Sequence, residues 1–96
     1  MTTVIEIRFE KEHNRAVAYD GTEHIGECEF AVFGGNWNVY HTGVNPAYGG
    51  RGIAGDLVRC VMEQARAEQK KIIPTCSYVR KVFDTRPEYQ ELLAKD

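Results

Sequence analysis

The chain has 96 residues, of which 43% are hydrophobic and 27% charged, a balance that fits a folded globular protein and not a disordered one. Its net charge of −2 excludes the basic excess that drives nucleic-acid binding by phosphate neutralisation, and no apolar run approaches the ~20 residues of a membrane span. With no signal-peptide pattern at the start, these features predict one cytoplasmic domain over residues 1–96, with neither nucleic acid nor membrane as partner.

The first half reads as strands. Val4–Phe9 and Arg15–Tyr19 are short β-branched or aromatic runs separated by the polar stretch Glu10–Asn14. Asp20-Gly21 is a turn signal, Ile25–Phe33 follows, and Gly34-Gly35-Asn36 turns the chain into Trp37–Val44. Four antiparallel strands in a meander fit this spacing. After Asn45-Pro46 the period changes: Ile53, Ala54, Leu57, Val58, Val61, Met62 and Ala65 line one face of a helix running to about Gln69.

Ile72–Ser77 then reads as a strand, its Pro74 suggesting an edge or splayed position. Strand, helix and strand make a crossover, so this last strand should lie parallel to Trp37–Val44. A short helix near Val79–Asp84 and another from Pro87 to Leu93 finish the chain. The expected fold class is α+β: an antiparallel meander joined to one parallel pair by a crossover helix, with helices packed on the sheet.

Charge divides unevenly between the halves. Residues 1–48 carry seven acids against three bases, and residues 49–96 nine bases against seven acids, so a small anion is better placed in the second half. The three cysteines, Cys28, Cys60 and Cys76, form no CxxC pattern, and His13, His24 and His41 lack ligand spacing. Neither a disulfide framework nor a metal site is expected.

The segment richest in chemistry is Tyr48-Gly49-Gly50-Arg51-Gly52-Ile53-Ala54-Gly55, between a strand and the long helix. Its glycines let a ligand approach the backbone, and the helix start presents N–H groups that no Ser, Thr, Asp or Asn caps. Arg51 there has the wrong sign for the helix dipole unless an anion completes the site. Gly50–Gly55 literally matches the dinucleotide fingerprint GxGxxG. That motif requires an acid after a second parallel strand, where this chain has Pro74-Thr75-Cys76-Ser77. No Gly-Lys-Ser/Thr follows to make a P-loop.

The loop resembles the pyrophosphate loop of the GNAT superfamily of acyl-CoA-dependent N-acetyltransferases, Arg/Gln-x-x-Gly-x-Gly/Ala. It matches at Gly52 and Ala54 and departs at Gly49, where the Arg or Gln is missing. His41-Thr42-Gly43-Val44 before the loop and Pro74-Thr75-Cys76-Ser77-Tyr78 after the helix are similar to the minimal GNAT-like proteins, which have an HT-x-V element and a cysteine after the crossover helix. The resemblance spans about residues 5–93.

The resemblance implies a GNAT-like fold that binds acetyl-CoA or CoA. The backbone at Val44 would pair with the pantetheine arm, and Gly49, Gly50, Arg51, Gly52, Ile53, Ala54 and Gly55 would hold the pyrophosphate. Arg80 or Lys81 would reach phosphates or else lie on a solvated helix face. The tyrosine that serves larger GNATs as general acid is replaced by Phe83, and Tyr78 reads as a core residue.

Cys76 and His41 remain as catalytic candidates. Cys76 would be nucleophile, proton donor or a small residue lining the thioester site. His41 would deprotonate an amine or merely bond its strand neighbours. The short Glu10–Asn14 connection has no room for the helix pair that walls the acceptor site in larger GNATs, so an open site for a protein or peptide amine is implied. Two functions stand: an acetyl-CoA-dependent N-acetyltransferase, and a CoA-binding module with little or no transferase activity.

Overall fold

The structure, a computed structural model, describes residues 4–94; residues 1–3 and 95–96 of the expected domain lie outside it. Four strands run antiparallel in chain order: β1 (Ile5–Glu10), β2 (Arg15–Asp20), β3 (Glu23–Phe33) and β4 (Asn36–Val44). The β3–β4 reversal rests on Gly34 and Gly35, both with positive φ (57° and 84°), as a tight hairpin turn requires. Helix α1 (Ile53–Ala67) crosses the sheet to β5 (Ile72–Pro74), which pairs parallel with β4. Helix α2 (Ser77–Thr85) and a 3₁₀ segment over Pro87–Leu92 complete the expected α+β architecture.

Strand alternation separates two unlike faces. On one, Ala16 and Ala18 of β2, Cys28 and Phe30 of β3, and Trp37 and Val39 of β4 form the core with Ile53, Leu57, Val58, Val61, Met62 and Ala65 of α1. Small residues beneath the helix let it sit close: a Cβ on Gly26 would meet the Leu57 side chain at 3.3 Å. Phe30 stacks on Trp37 with ring centroids 4.2 Å apart, and Phe9 lies 5.8 Å from Trp37. Val79 and Phe83 of α2 join the same core. The second face carries Arg15, Tyr19, Glu27 and His41, and the buried side chains of both helices all belong to the first.

Two departures from the sequence-based expectations matter for the site. The strand expected over Ile72–Ser77 stops at Pro74: Thr75 N–H turns back to Ile73 C=O at 3.0 Å, and the next residues leave the sheet. Cys76 is therefore the N-cap residue of α2 and not a strand residue, and Ser77 is the first residue of that helix. The second departure is a bulge. Glu29 pairs with His41 and Phe30 with Val39, which leaves Tyr40 as an extra residue on β4. Of the two expected terminal helices, the last is 3₁₀, and Leu93 then bridges parallel to Ile72.

Candidate active site

Because β5 is short, it covers only Trp37–Val39 of β4. Cys76 N–H closes this pairing on Val39 C=O at 2.9 Å, after which α2 leads the chain away. Beyond that point β4 continues to Val44 with no strand beside its outer edge among the described residues. Asn45 N–H donates to Ile25 C=O at 2.7 Å on the β3 side. Across a trans peptide the carbonyl of Val44 must then point the opposite way, to the open edge.

The glycine-rich loop lies next along the chain. Gly52, at φ 75°, is the N-cap of α1 and provides no side chain to cap it, so the first N–H groups of the helix have no partner within it. A Cβ at Gly50 or Gly52 would have nothing within 4 Å, which leaves room before these donors. Arg51 is exposed, its guanidinium 5.2 Å above the Tyr48 ring. The Tyr48 hydroxyl donates to the Asp20 carboxylate, which ties the loop to the end of β2 and raises the tyrosine's pKa.

From this loop a groove of about 440 Å³ runs between the two helices. Gly52, Gly55 and Arg59 line one side, and Tyr78 and Lys81 of α2 with Arg86 the other. Sequence reasoning offered Arg80 or Lys81; the structure places Lys81 in this groove, whereas Arg80 turns away and donates to Pro74 C=O at 3.2 Å. Tyr78 is not the core residue expected: it is 37% exposed and lines the groove at the start of α2. Phe83 is buried in the core, where it packs and offers no hydroxyl. Arg59 and Arg86 went unnoticed in the sequence because no pattern links them until two helices bring them together.

Cys76 stands half-buried where β4 loses its partner, its Sγ 3.6 Å from Thr42 Oγ1. The same hydroxyl lies 3.5 Å from Cys28 Sγ. Burial pushes the Cys28 thiol up to about 12, which keeps it protonated and unreactive, and burial also raises Cys60. Of the three thiols, Cys76 alone borders the open edge of β4.

His41 lies on the other face of the same strand. Its Nε2 is 2.7 Å from Glu27 Oε2, and His24 Nε2 is 2.8 Å from Glu27 Oε1, so one carboxylate holds two imidazoles. Sequence reasoning passed over Glu27 and His24, since only strand register brings them to His41. No group of His, Cys, Asp or Glu among the described residues is arranged to hold a metal ion.

Burial pushes the Glu27 carboxyl upward, but hydrogen bonds from His41 and His24 outweigh it and hold the pKa below its ordinary value. A depressed carboxylate contributes stability that is present above its unfolded pKa and is lost as pH falls through the folded one. Melting temperature should therefore drop below about pH 4, and Glu27→Gln should flatten that drop. An unchanged acid profile in the variant would show that the histidines do not stabilise the carboxylate.

Comparison with known proteins agrees with this geometry. Residues 8–92 match the family described as GCN5-related N-acetyl-transferase. A search of curated proteins finds no match. A solution structure of a GCN5-like N-acetyltransferase candidate from Staphylococcus aureus is 28% identical, with a TM-score of 0.72 over 95% of this chain and 89% of that one. A GNAT-family acetyltransferase candidate from Desulfovibrio desulfuricans shares the fold at 15% identity and a TM-score of 0.59, over 74% of this chain and 52% of its own. The chain belongs to the GCN5-related N-acetyltransferase family and is an acetyltransferase by membership and by fold.

Proposed function

We propose that this acetyltransferase uses acetyl-CoA and passes the acetyl group to an amine on a peptide or protein. The observation that carries the reading is the continuity of three features: the open edge of β4, the uncapped start of α1, and the cation-bearing groove beyond it. An extended pantetheine arm would add to the free edge at Val44 as a strand. The pyrophosphate would meet the unpaired N–H groups after Gly52, with Arg51 released from Tyr48 to assist. Lys81, Arg59 and Arg86 would then face the remaining phosphate charge along the groove. Asp56 also lines the groove and pairs with Arg59 at 3.0 Å, but the three cations outnumber it, and that excess suits the phosphates in sign.

Transfer requires a neutral amine, stabilisation of the developing oxyanion and a proton for the leaving thiolate. Cys76, backed by Thr42, would line or protonate the thioester end, and His41 would receive a proton from the acceptor. Only the 3₁₀ turn Lys11–His13 and Asn14 join β1 to β2, so the acceptor side would be open, which suits a side chain presented by a larger molecule. The three cysteines are unpaired, and no helix among the described residues is long and apolar enough to cross a membrane. Free thiols fit a reducing cytoplasmic setting, and the proposal is of one domain acting there.

The test is direct. Incubation with acetyl-CoA and a lysine-bearing peptide should release free CoA and add one acetyl group to the peptide. Binding of CoA with no release above the rate of hydrolysis would replace the transferase reading with that of a CoA-binding module, which the absence of a hydroxyl at Phe83 favours. Gly55→Leu should leave the helix intact, leucine being a good helix former, yet fill the groove beside Tyr78. We expect CoA affinity to fall by more than about tenfold with folding retained, for the loss of at least ~1.4 kcal/mol. Unchanged affinity would place the phosphates elsewhere.

A further inference from the structure

The second face of the sheet holds a cluster outside the groove between the helices, on β4, the strand whose open edge is proposed to take the pantetheine arm. Glu27 takes one histidine on each carboxylate oxygen, and both bonds are made through Nε2. A carboxylate only accepts, so in the neutral rings both Nε2 atoms carry protons and both Nδ1 atoms are left as acceptors. Among the described residues neither Nδ1 has a hydrogen-bond partner, and the His41 side chain is 45% exposed.

Gly43 makes this arrangement possible. A Cβ there would lie 2.9 Å from Glu27 Oε2 and 3.1 Å from His41 Nε2, so any side chain would force the pair apart. The surroundings are laid out to keep the carboxylate for the histidines. Arg15 is taken by Glu10 at 2.8 Å and Arg8 by Glu6 at 2.9 Å, while the Tyr19 ring packs edge-on against His24. Glu29, opposite His41 in register, adds a second negative charge with no ion-pair partner among the described residues.

We infer that Glu27 is a positioning residue that fixes His41 with Nδ1 outward as the proton acceptor, for an acceptor substrate that is a primary ammonium on a flexible chain. This rests on the transferase reading above. The ammonium gives one proton to His41 Nδ1 and becomes an amine. The amine nitrogen then bonds to the acetyl carbon as the C–S bond breaks. The thiolate leaves with the second proton lost by nitrogen, and His41 returns its own to solvent. The amide, free CoA and one proton balance the ammonium and the thioester. His24 holds the other oxygen, so the carboxylate cannot turn away from His41.

The experiment compares two acceptors: a lysine-bearing peptide, which is an ammonium at neutral pH, and the same peptide carrying an alkoxyamine, which is already neutral. Glu27→Gln offers His41 an amide that no longer fixes its tautomer. Its kcat/KM on the lysine peptide should fall by about tenfold to 100-fold, with little change on the alkoxyamine and none in CoA binding. An equal loss on both acceptors, or no loss on either, overturns the inference. Nitrogen NMR of the histidine rings gives a second reading: wild-type His41 should carry its proton on Nε2, and a proton on Nδ1 overturns the assignment whatever the activity. A wild-type protein that binds CoA but acetylates neither peptide removes the transferase reading, and this inference with it.

Discussion

In the presence of acetyl-CoA or CoA at about 100 times its dissociation constant, the protein is expected to gain about 2.7 kcal/mol of stability. For a domain of this size that is a rise in melting temperature of about 10–20 °C. NAD at equal concentration should give a clearly smaller shift, because it has a pyrophosphate but no pantetheine arm to join β4. The discriminating variant is Val44→Pro. The backbone of Val44 faces the open edge, so the missing N–H would break no bond in the sheet. The variant should fold, as judged by circular dichroism, and lose most of the CoA-induced shift. A shift with NAD as large as that with CoA, or a normal CoA response in Val44→Pro, would place the cofactor off the edge.

Replacing Cys76 by alanine is expected to lower turnover by about 100-fold or more, the scale of a lost proton donor, while CoA still raises the melting temperature. Cys28→Ala and Cys60→Ala should leave turnover intact, since both thiols are held protonated by burial. Intact mass then separates the roles open to Cys76. An added acetyl group on a peptide containing Cys76 identifies a nucleophile. No adduct, with part of the activity kept in Cys76→Ser, identifies a proton donor. Full activity and unchanged CoA affinity in Cys76→Ala would remove the thiol from the site. The thiol's contact with Thr42 allows a parallel check, because Thr42→Val keeps the volume and removes the oxygen 3.6 Å from Cys76 Sγ.

Local signals carried much of the fold. The apolar offsets from Ile53 to Ala65 are the buried stripe of α1, with only Ala54 left half-buried. Gly34-Gly35 located the hairpin, and the absence of a capping side chain before Ile53 was legible directly. What escaped were effects of pairing. The run Ile72–Ser77 has strand composition throughout, but the bonds of Thr75 to Ile73 and Asn38 end the strand early and hand Cys76 to a helix. The Glu27–His41 contact links residues 14 apart through a register shifted by one residue, which neither residue announces.

That shift decides the layout of the chemistry. Were Tyr40 paired in regular register instead of bulged, the hairpin turn would set His41 opposite Cys28 and Thr42 opposite Glu27, reversing which side each points to. With the bulge, strand β4 is a partition: Thr42 meets Cys76 on the helix side, and His41 meets Glu27 on the bare side. The two half-sites can therefore mutate separately. A lineage could trade one acceptor for another by altering Glu27, Glu29 or His24 while the thioester compartment stays as it is. Deleting Tyr40 would remove the bulge and keep both pairings, whereas closing the bulge with Tyr40 retained would undo both halves in a single step.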